Sequence, residues 1–398
     1  MSRVRASVCR DMKEDVWLYI FETIMDKERR PSAIIPLMCV CKTWKNLAEP
    51  LLYQYLSFSS ATAITRCHRS LMLKALRDQF PGARTRSLAF SHTCPDGPHP
   101  VIDRMLHYMP HLLVFHAPHT KLGTGTFEML AQVCGPSLKD LEVQIGGDGA
   151  EGALQAALVS RFRVLRRLHI CVSELGRNSA FFQFIGDQAW NLQHLEILLL
   201  RSPSKEALSA FFDFVSKGSF PSLTCLALDL PWLGPPDVGT TPAEALLSLF
   251  TKVGSQIARF TARIPHADNA PSLLFPLLTT VRTVRFPIGR PPQGFFEHLP
   301  ASTEELLLGV DFSSDERTPA LVGLLVELSL GEQRRKRLSL QLTSETTYRF
   351  EWWTLGVTHP NMAGDLMPLS VWLAAKNILL KDEAGKWIGQ YEEEVSPA

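Results

Sequence analysis

The chain has 398 residues, 45% of them hydrophobic and 20% charged, with 41 Lys+Arg against 40 Asp+Glu and a formal charge of +1. That size allows a large core and two or three domains, and the balanced charge excludes any overall electrostatic pull toward nucleic acid or an anionic membrane. Eight cysteines without a Cys-x-x-Cys pair read as reduced core residues, and the charged first fifteen residues and interrupted apolar runs leave no secretory or membrane-spanning segment, so an intracellular protein, cytoplasmic or nuclear, is expected.

From the N-terminus, Val16, Ile20, Phe21 and Ile24 fall at i, i+4, i+5, i+8, one face of a helix that starts near Asp15 with acidic residues in its first turn. Pro31 then interrupts, and Ser32 is placed to cap a second, short or bent helix that carries Ile34, Ile35, Leu37, Met38 and Val40 around Pro36. From Cys41, Trp44, Leu47, Ala48 and Leu51 again recur at helical spacing, and Pro50 lets the chain leave. Three short helices in about forty residues bury too little surface to be stable alone, so their apolar face calls for a partner.

The stretch Glu14-Asp15-Val16-Trp17-Leu18-Tyr19-Ile20-Phe21, followed by Leu37-Met38-Cys39-Val40-Cys41-Lys42-Thr43-Trp44 and Leu47-Ala48-Glu49-Pro50-Leu51-Leu52-Tyr53, resembles the F-box, in the version found in many fungal proteins. The resemblance implies docking onto a Skp-type adaptor and, through it, onto cullin and RING subunits of a ubiquitin ligase. Carried over position by position, it implies an adaptor-facing set of Met12, Val16, Ile20, Phe21, Leu37, Val40, Cys41 and Trp44. Met12 and Lys13 stand where the family usually has Leu-Pro, which weakens the opening contact.

A helical stretch at roughly 63–79 leads into a recurring pattern, apolar-x-x-apolar-x-apolar. Leu138, Leu141, Val143 fit it, as do Leu165, Leu168, Ile170, then Leu192, Leu195, Ile197 and Leu223, Leu226, Leu228, with looser copies elsewhere. Leu88 to Leu338 spans 250 residues in nine steps, about 28 per step, which lies in the leucine-rich-repeat range. The motif's end alternates in-out-in as a strand does, and apolar helical segments lie between copies. Such a unit cannot bury its own apolar face, so neighbours must stack into a parallel sheet with outer helices. The Asn ladder of leucine-rich repeats is missing: Gly146, Ser173, Leu200, Pro231, Pro265 and Gly289 occupy its places. The expected fold is mixed α/β: a three-helix F-box module at 10–56, a helical linker at 57–82, an irregular leucine-rich-repeat-like solenoid at 83–345, a C-terminal cap at 346–380 and a tail at 381–398. Trp352 and Trp353 belong to that cap, with a binding ledge as their alternative role.

On each strand the residues flanking the last two apolar positions face away from the core. These begin acidic (Asp140, Glu142), become mixed, and then bring Arg259, Arg263 and Arg285 to one region, a candidate site for gripping a carboxylate or phosphate of a target. The common phosphate-loop, zinc-protease, nucleophile-elbow and dinucleotide motifs are all missing. Gly146-Gly147-Asp148-Gly149 reads as a turn, the scattered histidines show no ligand interval, and Arg334-Arg335-Lys336-Arg337 reads as a solvated loop. No cofactor, metal, nucleic-acid or membrane partner is expected. The reading that follows is a non-catalytic substrate receptor of a cullin-RING ligase, with an F-box scaffold outside ubiquitination as the alternative.

Overall fold

A computed structural model of the chain describes residues 14–28, 31–91, 100–147, 149–175, 189–201, 208–230, 242–263, 270–287, 291, 294–310, 318–330, 337–344 and 350–388. The chain divides into two compact units, Met1–Cys171 with Trp190–His194, and Val172–Ala189 with Leu195–Ala398.

The first unit opens with α1 (Glu14–Glu28), whose acidic first turn and basic Lys27 in the last turn complement the helix dipole. Ser32 does not cap the second helix. Pro36 lacks an N–H and is harmless only in a first turn, so α2 starts late, at Ile35–Met38, behind a 3-10 turn over Pro31–Ala33. Helix α3 (Lys42–Ala48) is capped by Cys41, whose sulfur accepts from the Trp44 N–H at 3.4 Å. A 3-10 segment, Glu49–Tyr53, closes the module. Its core is Phe21, Met25, Ile34, Ala48 and Leu51.

The sheet begins earlier than the sequence suggests. Strand β1 (Tyr55–Phe58) pairs in parallel with β2 (Ser87–Phe90), Tyr55 opposite Ser87 and Phe58 opposite Phe90. Helix α4 (Ala61–Ala75) lies between them in sequence, with the Ser60 hydroxyl capping it through the Ala63 N–H at 3.3 Å. The stretch expected as a linker is therefore a strand-helix repeat of the body. Asp26 of α1 ties the module to this repeat: it accepts from the Tyr55 hydroxyl at 2.6 Å and meets the Arg86 guanidinium at 3.4 Å. Burial and the bond to Asp26 push the Tyr55 hydroxyl above its ordinary range. Lys74 of α4 reaches Glu49 at 2.5 Å.

Strands β3 (Val114–Lys121), β4 (Asp140–Gly147) and β5 (Arg167–Leu175) follow in chain order, with helices α5 (Pro100–Leu106), α6 (Thr124–Cys134) and α7 (Gly149–Leu158) alternating with them. The pairs β2–β3 and β3–β4 are parallel. Leu88, Phe115, Leu141 and Leu168 are fully buried beneath the helices, while their sequence neighbours on each strand stay partly open. Cys134 is buried here with its thiol pushed up to about 12 by desolvation; Cys39 is exposed and Cys41, Cys67, Cys171 and Cys225 are half-buried, so of the described cysteines only Cys134 has the expected core placement.

The second unit continues the scheme with β6 (Ile197–Arg201), β7 (Cys225–Asp229), β8 (Arg259–Arg263), β9 (Thr283–Phe286), β10 (Glu305–Val310), β11 (Leu338–Ser344) and β12 (Ile378–Lys381), every neighbouring pair parallel. Helices α8 (Leu208–Lys217), α9 (Pro242–Val253), α10 (Ala270–Leu274), α11 (Thr318–Leu330), α12 (Trp352–Thr358) and α13 (Pro360–Ala375) lie between them in sequence. The unit's core is rich in aromatic rings: Phe250, Phe260 and Phe275 meet edge to face at 5.5 and 6.2 Å, and Phe295 joins Phe275 to Phe286 at 5.3 and 4.5 Å. Parallel sheets of doubly wound folds are covered on both faces; here alternate strand residues are buried and half-open, the mark of a one-sided, solenoid-like stack.

What replaces an Asn ladder is visible in the backbone. At several strand entries one carbonyl accepts two successive N–H groups of the next strand: Gln54 O from Arg86 and Ser87, Arg86 O from Leu113 and Val114, Thr224 O from Ala258 and Arg259, Ala258 O from Arg282 and Thr283. Hydroxyls add to this. Ser137 Oγ donates to Leu112 O at 2.9 Å and Thr280 Oγ1 to Ile257 O at 3.1 Å. These repeats thus satisfy their turns through their neighbours.

At the C-terminal end Trp352 is buried and its indole N–H donates to Lys386 O at 3.1 Å, whereas Trp353 is exposed. Of the two, only Trp353 offers a ledge. The region expected as cap and tail also holds β12, paired with Leu338–Gln341, after which the chain turns at Gly385 (φ +77°) and Trp387 bridges back to Lys381. The acidic residues 392–394 and the basic residues 334–336 lie outside the described residues.

Candidate interaction surfaces

Helix α1 has two faces. Phe21 and Met25 point into the module, together with the partly buried Trp17 and Leu18, while Val16 and Tyr19, one turn apart, are 42% and 70% exposed. Ile35 (54%) and Val40 (51%) add apolar surface from α2 and the turn behind it. Of the residues expected to face an adaptor, Val16 and Val40 are exposed, Ile20, Leu37 and Cys41 are half-buried, and Phe21 is in the core. Trp44 packs at a tilt against Trp17 at 4.4 Å and edge to face with Phe21 at 5.0 Å, so it stiffens the module from within. Its indole N–H and that of Trp17 are buried without a hydrogen-bond partner. Met12 lies outside the described residues. Tyr19 and Ile35 fall outside the adaptor-facing set that the resemblance implies, although Tyr19 stands i+3 from Val16 on the same helix.

On the open sheet face of the first unit, β3, β4 and β5 place two histidines against two carboxylates. His116 stands opposite Glu142 in register; its Nε2 lies 3.2 Å from Asp140 and its Nδ1 3.8 Å from Glu142. His169 Nδ1 donates to Glu142 at 2.5 Å, and Arg167 reaches Asp140 at 3.6 Å. The hydrogen bond to Asp140 raises the His116 pKa against the opposing effect of burial, and the bond from His169 lowers that of Glu142.

The sign of the resulting pH dependence follows. A raised histidine contributes stability that is present below its unfolded pKa of about 6.5 and is lost as pH rises through the folded value; a lowered carboxyl contributes above its unfolded value of about 4.3 and loses that as pH falls. The ladder is therefore strongest between roughly pH 5 and 6.5. Chemical denaturation at pH 5.5 and pH 8 should show His116→Asn costing the first unit more stability at the lower pH than at the higher, against the opposite contribution of His68, whose pKa burial lowers.

In the second unit the arginines expected to form one site divide into two groups. Arg263 is in an ion pair: Asp229 lies between it (3.8 Å) and Arg201 (3.2 Å), all three in register on β8, β7 and β6. Arg259 and Arg285 are exposed. They stand diagonally, since Arg259 is opposite Thr283 and Arg285 is opposite Thr261. The cluster thus spans two strands, with Arg259 and Arg263 at the two ends of β8.

No group of three or more His, Cys, Asp or Glu side chains among the described residues is arranged to hold a metal ion. Gly146, near the end of β4, is held by a buried amide: Gln155 Oε1 accepts from the Gly146 N–H at 3.4 Å and Gln155 Nε2 donates to Leu122 O at 2.8 Å; residue 148 of the glycine cluster lies outside the described residues. No helix among the described residues is long and apolar enough to cross a membrane. No family model matches the chain, and no curated protein matches it closely enough to count as a relative.

Proposed function

We propose that the chain is a non-catalytic substrate receptor of a cullin-RING ubiquitin ligase. Its N-terminal module is an F-box that docks a Skp-type adaptor, and its leucine-rich-repeat-like body holds a protein target on the open face of the sheet. One observation carries this reading. The module already has a complete small core, yet it leaves Val16, Tyr19, Ile35 and Val40 in solvent, and apolar surface of that kind on so small a unit marks a protein-binding site. The F-box resemblance, whose two strings include Val16, Tyr19 and Val40, points to a Skp-type adaptor as the partner.

In this scheme the chemistry belongs to the other subunits. The Asp26–Tyr55 and Lys74–Glu49 contacts fix the module to the first repeat of its own unit, and one chain joins an adaptor bound to the module with a target bound to the repeats. The gain is effective concentration of a target lysine near a ubiquitin carrier.

The tagged full chain, purified from cells that express it, should bring down a Skp-type adaptor together with a cullin. Adaptor without cullin would contradict the ligase role and favour a scaffold, and recovery of neither would overturn the proposal.

A further inference from the structure

Four side chains on the open face of β8 and β9 form a square. Arg259 and Thr261 are two residues apart on one strand, Thr283 and Arg285 on the next, with Arg259 opposite Thr283 and Thr261 opposite Arg285. Alternate strand residues share a face, rise about 3.3 Å each, and neighbouring strands lie about 4.8 Å apart, so the two arginines occupy one diagonal of a patch about 8 Å across and the two threonines the other. Both arginines are exposed and both threonines are half-buried. No ion pair among the described residues engages Arg259 or Arg285, whereas Arg201 and Arg263 share Asp229.

The surrounding charges select the ligand. Thr283 donates to Glu305 on β10 at 3.1 Å, so one carboxylate already stands beside the square. Two guanidinium charges against that one leave a single positive charge unmatched. A carboxylate balances it, while a dianionic phosphate would meet repulsion from Glu305. Asp229, in one row between Arg201 and Arg263, shows a carboxylate held by two arginines of this face, though in register over three strands and not on a diagonal. Along the row through Arg285, Leu199 and Ala227 lie on one side and Leu307 on the other, all half-exposed.

Resting on the receptor role proposed above, we infer that Arg259 and Arg285, with the Thr261 hydroxyl, anchor a single Asp or Glu side chain of an extended target segment whose neighbouring residues are apolar. The guanidinium forks supply charge-assisted hydrogen bonds in the plane of the carboxylate, and the leucines receive the apolar flanks.

The probe is a fluorescent nonapeptide with one central glutamate flanked by leucines, made also with glutamine and with phosphoserine at the centre and titrated onto the full chain. Glutamate should bind at least about tenfold more tightly than glutamine. Arg259→Gln/Arg285→Gln should abolish that preference, Arg285→Lys should reduce it, and Arg66→Gln/Arg69→Gln, with the same change in net charge on exposed α4 positions, should leave it intact. Equal binding of the glutamate and glutamine peptides, tighter binding of phosphoserine, or a preference that survives the double substitution would overturn the inference. Adaptor binding is read on the same proteins: its absence with the glutamate preference present contradicts the receptor role alone, and its presence without the preference contradicts the anchor alone.

Discussion

Phe260→Ala is expected to destabilise the second unit by about 3–5 kcal/mol, the range for truncating a buried aromatic side chain. Phe260 is fully buried on β8 and meets Phe250 of α9 and Phe275 edge to face, so the substitution opens a cavity and also removes two ring contacts of about 0.5–1.5 kcal/mol each, part of the same range. In a stacked array each repeat touches only its neighbours, and a cavity in the middle of one unit weakens the stack on both sides. Urea denaturation should show a clear fall in midpoint for Phe260→Ala and almost none for Phe80→Ala, whose side chain is 61% exposed. Equal shifts for the two would mean that the aromatic chain does not hold the unit.

The double substitution Val16→Asp/Val40→Asp should weaken adaptor binding by about a hundredfold or more, because each carboxylate would be driven into an apolar interface without a partner, at about 1–3 kcal/mol or more apiece. Both side chains are already in solvent, so the free protein should melt unchanged. Trp44→Ala is a less direct probe. Its ring packs against both Trp17 and Phe21, and truncation would loosen the module along with any interface. Binding that survives the Val16/Val40 substitution would move the docking surface elsewhere on the module.

The repeats were legible because each strand needs two or three inward residues at a spacing of two, and that requirement is written into Leu141–Val143, Leu168–Ile170 and Leu226–Leu228. Two strands escaped. Tyr53-x-x-Leu56-x-Phe58 fits the same pattern as β1, but its first residue also closes the F-box-like string, so one residue serves two overlapping patterns. Ile378 and Leu380 of β12 follow α13 after a single turn and were absorbed into the cap. The second helix of the module was misplaced at its start because Ser32 is a good cap in isolation, while Pro36, about one turn further on, dictates where a helix can begin. Lateral register is the information a single strand lacks. The open-face position of Arg263 could be read from its own strand, but its neutralisation by Asp229 and the diagonal placement of Arg259 and Arg285 depend on pairing between strands. Helical spacing likewise put Phe21 and Val16 on one surface without telling which of them the small core would take.

The claim on which the rest depends is that the N-terminal module docks a Skp-type adaptor. The direct measurement is to mix the purified full chain with a purified adaptor at about 10 μM each, well above the Kd of a standard-size specific interface, and to determine the mass of the species formed by light scattering. The account predicts a one-to-one complex that is lost with Val16→Asp/Val40→Asp. Two separate components, with the unmutated chain folded, would contradict it.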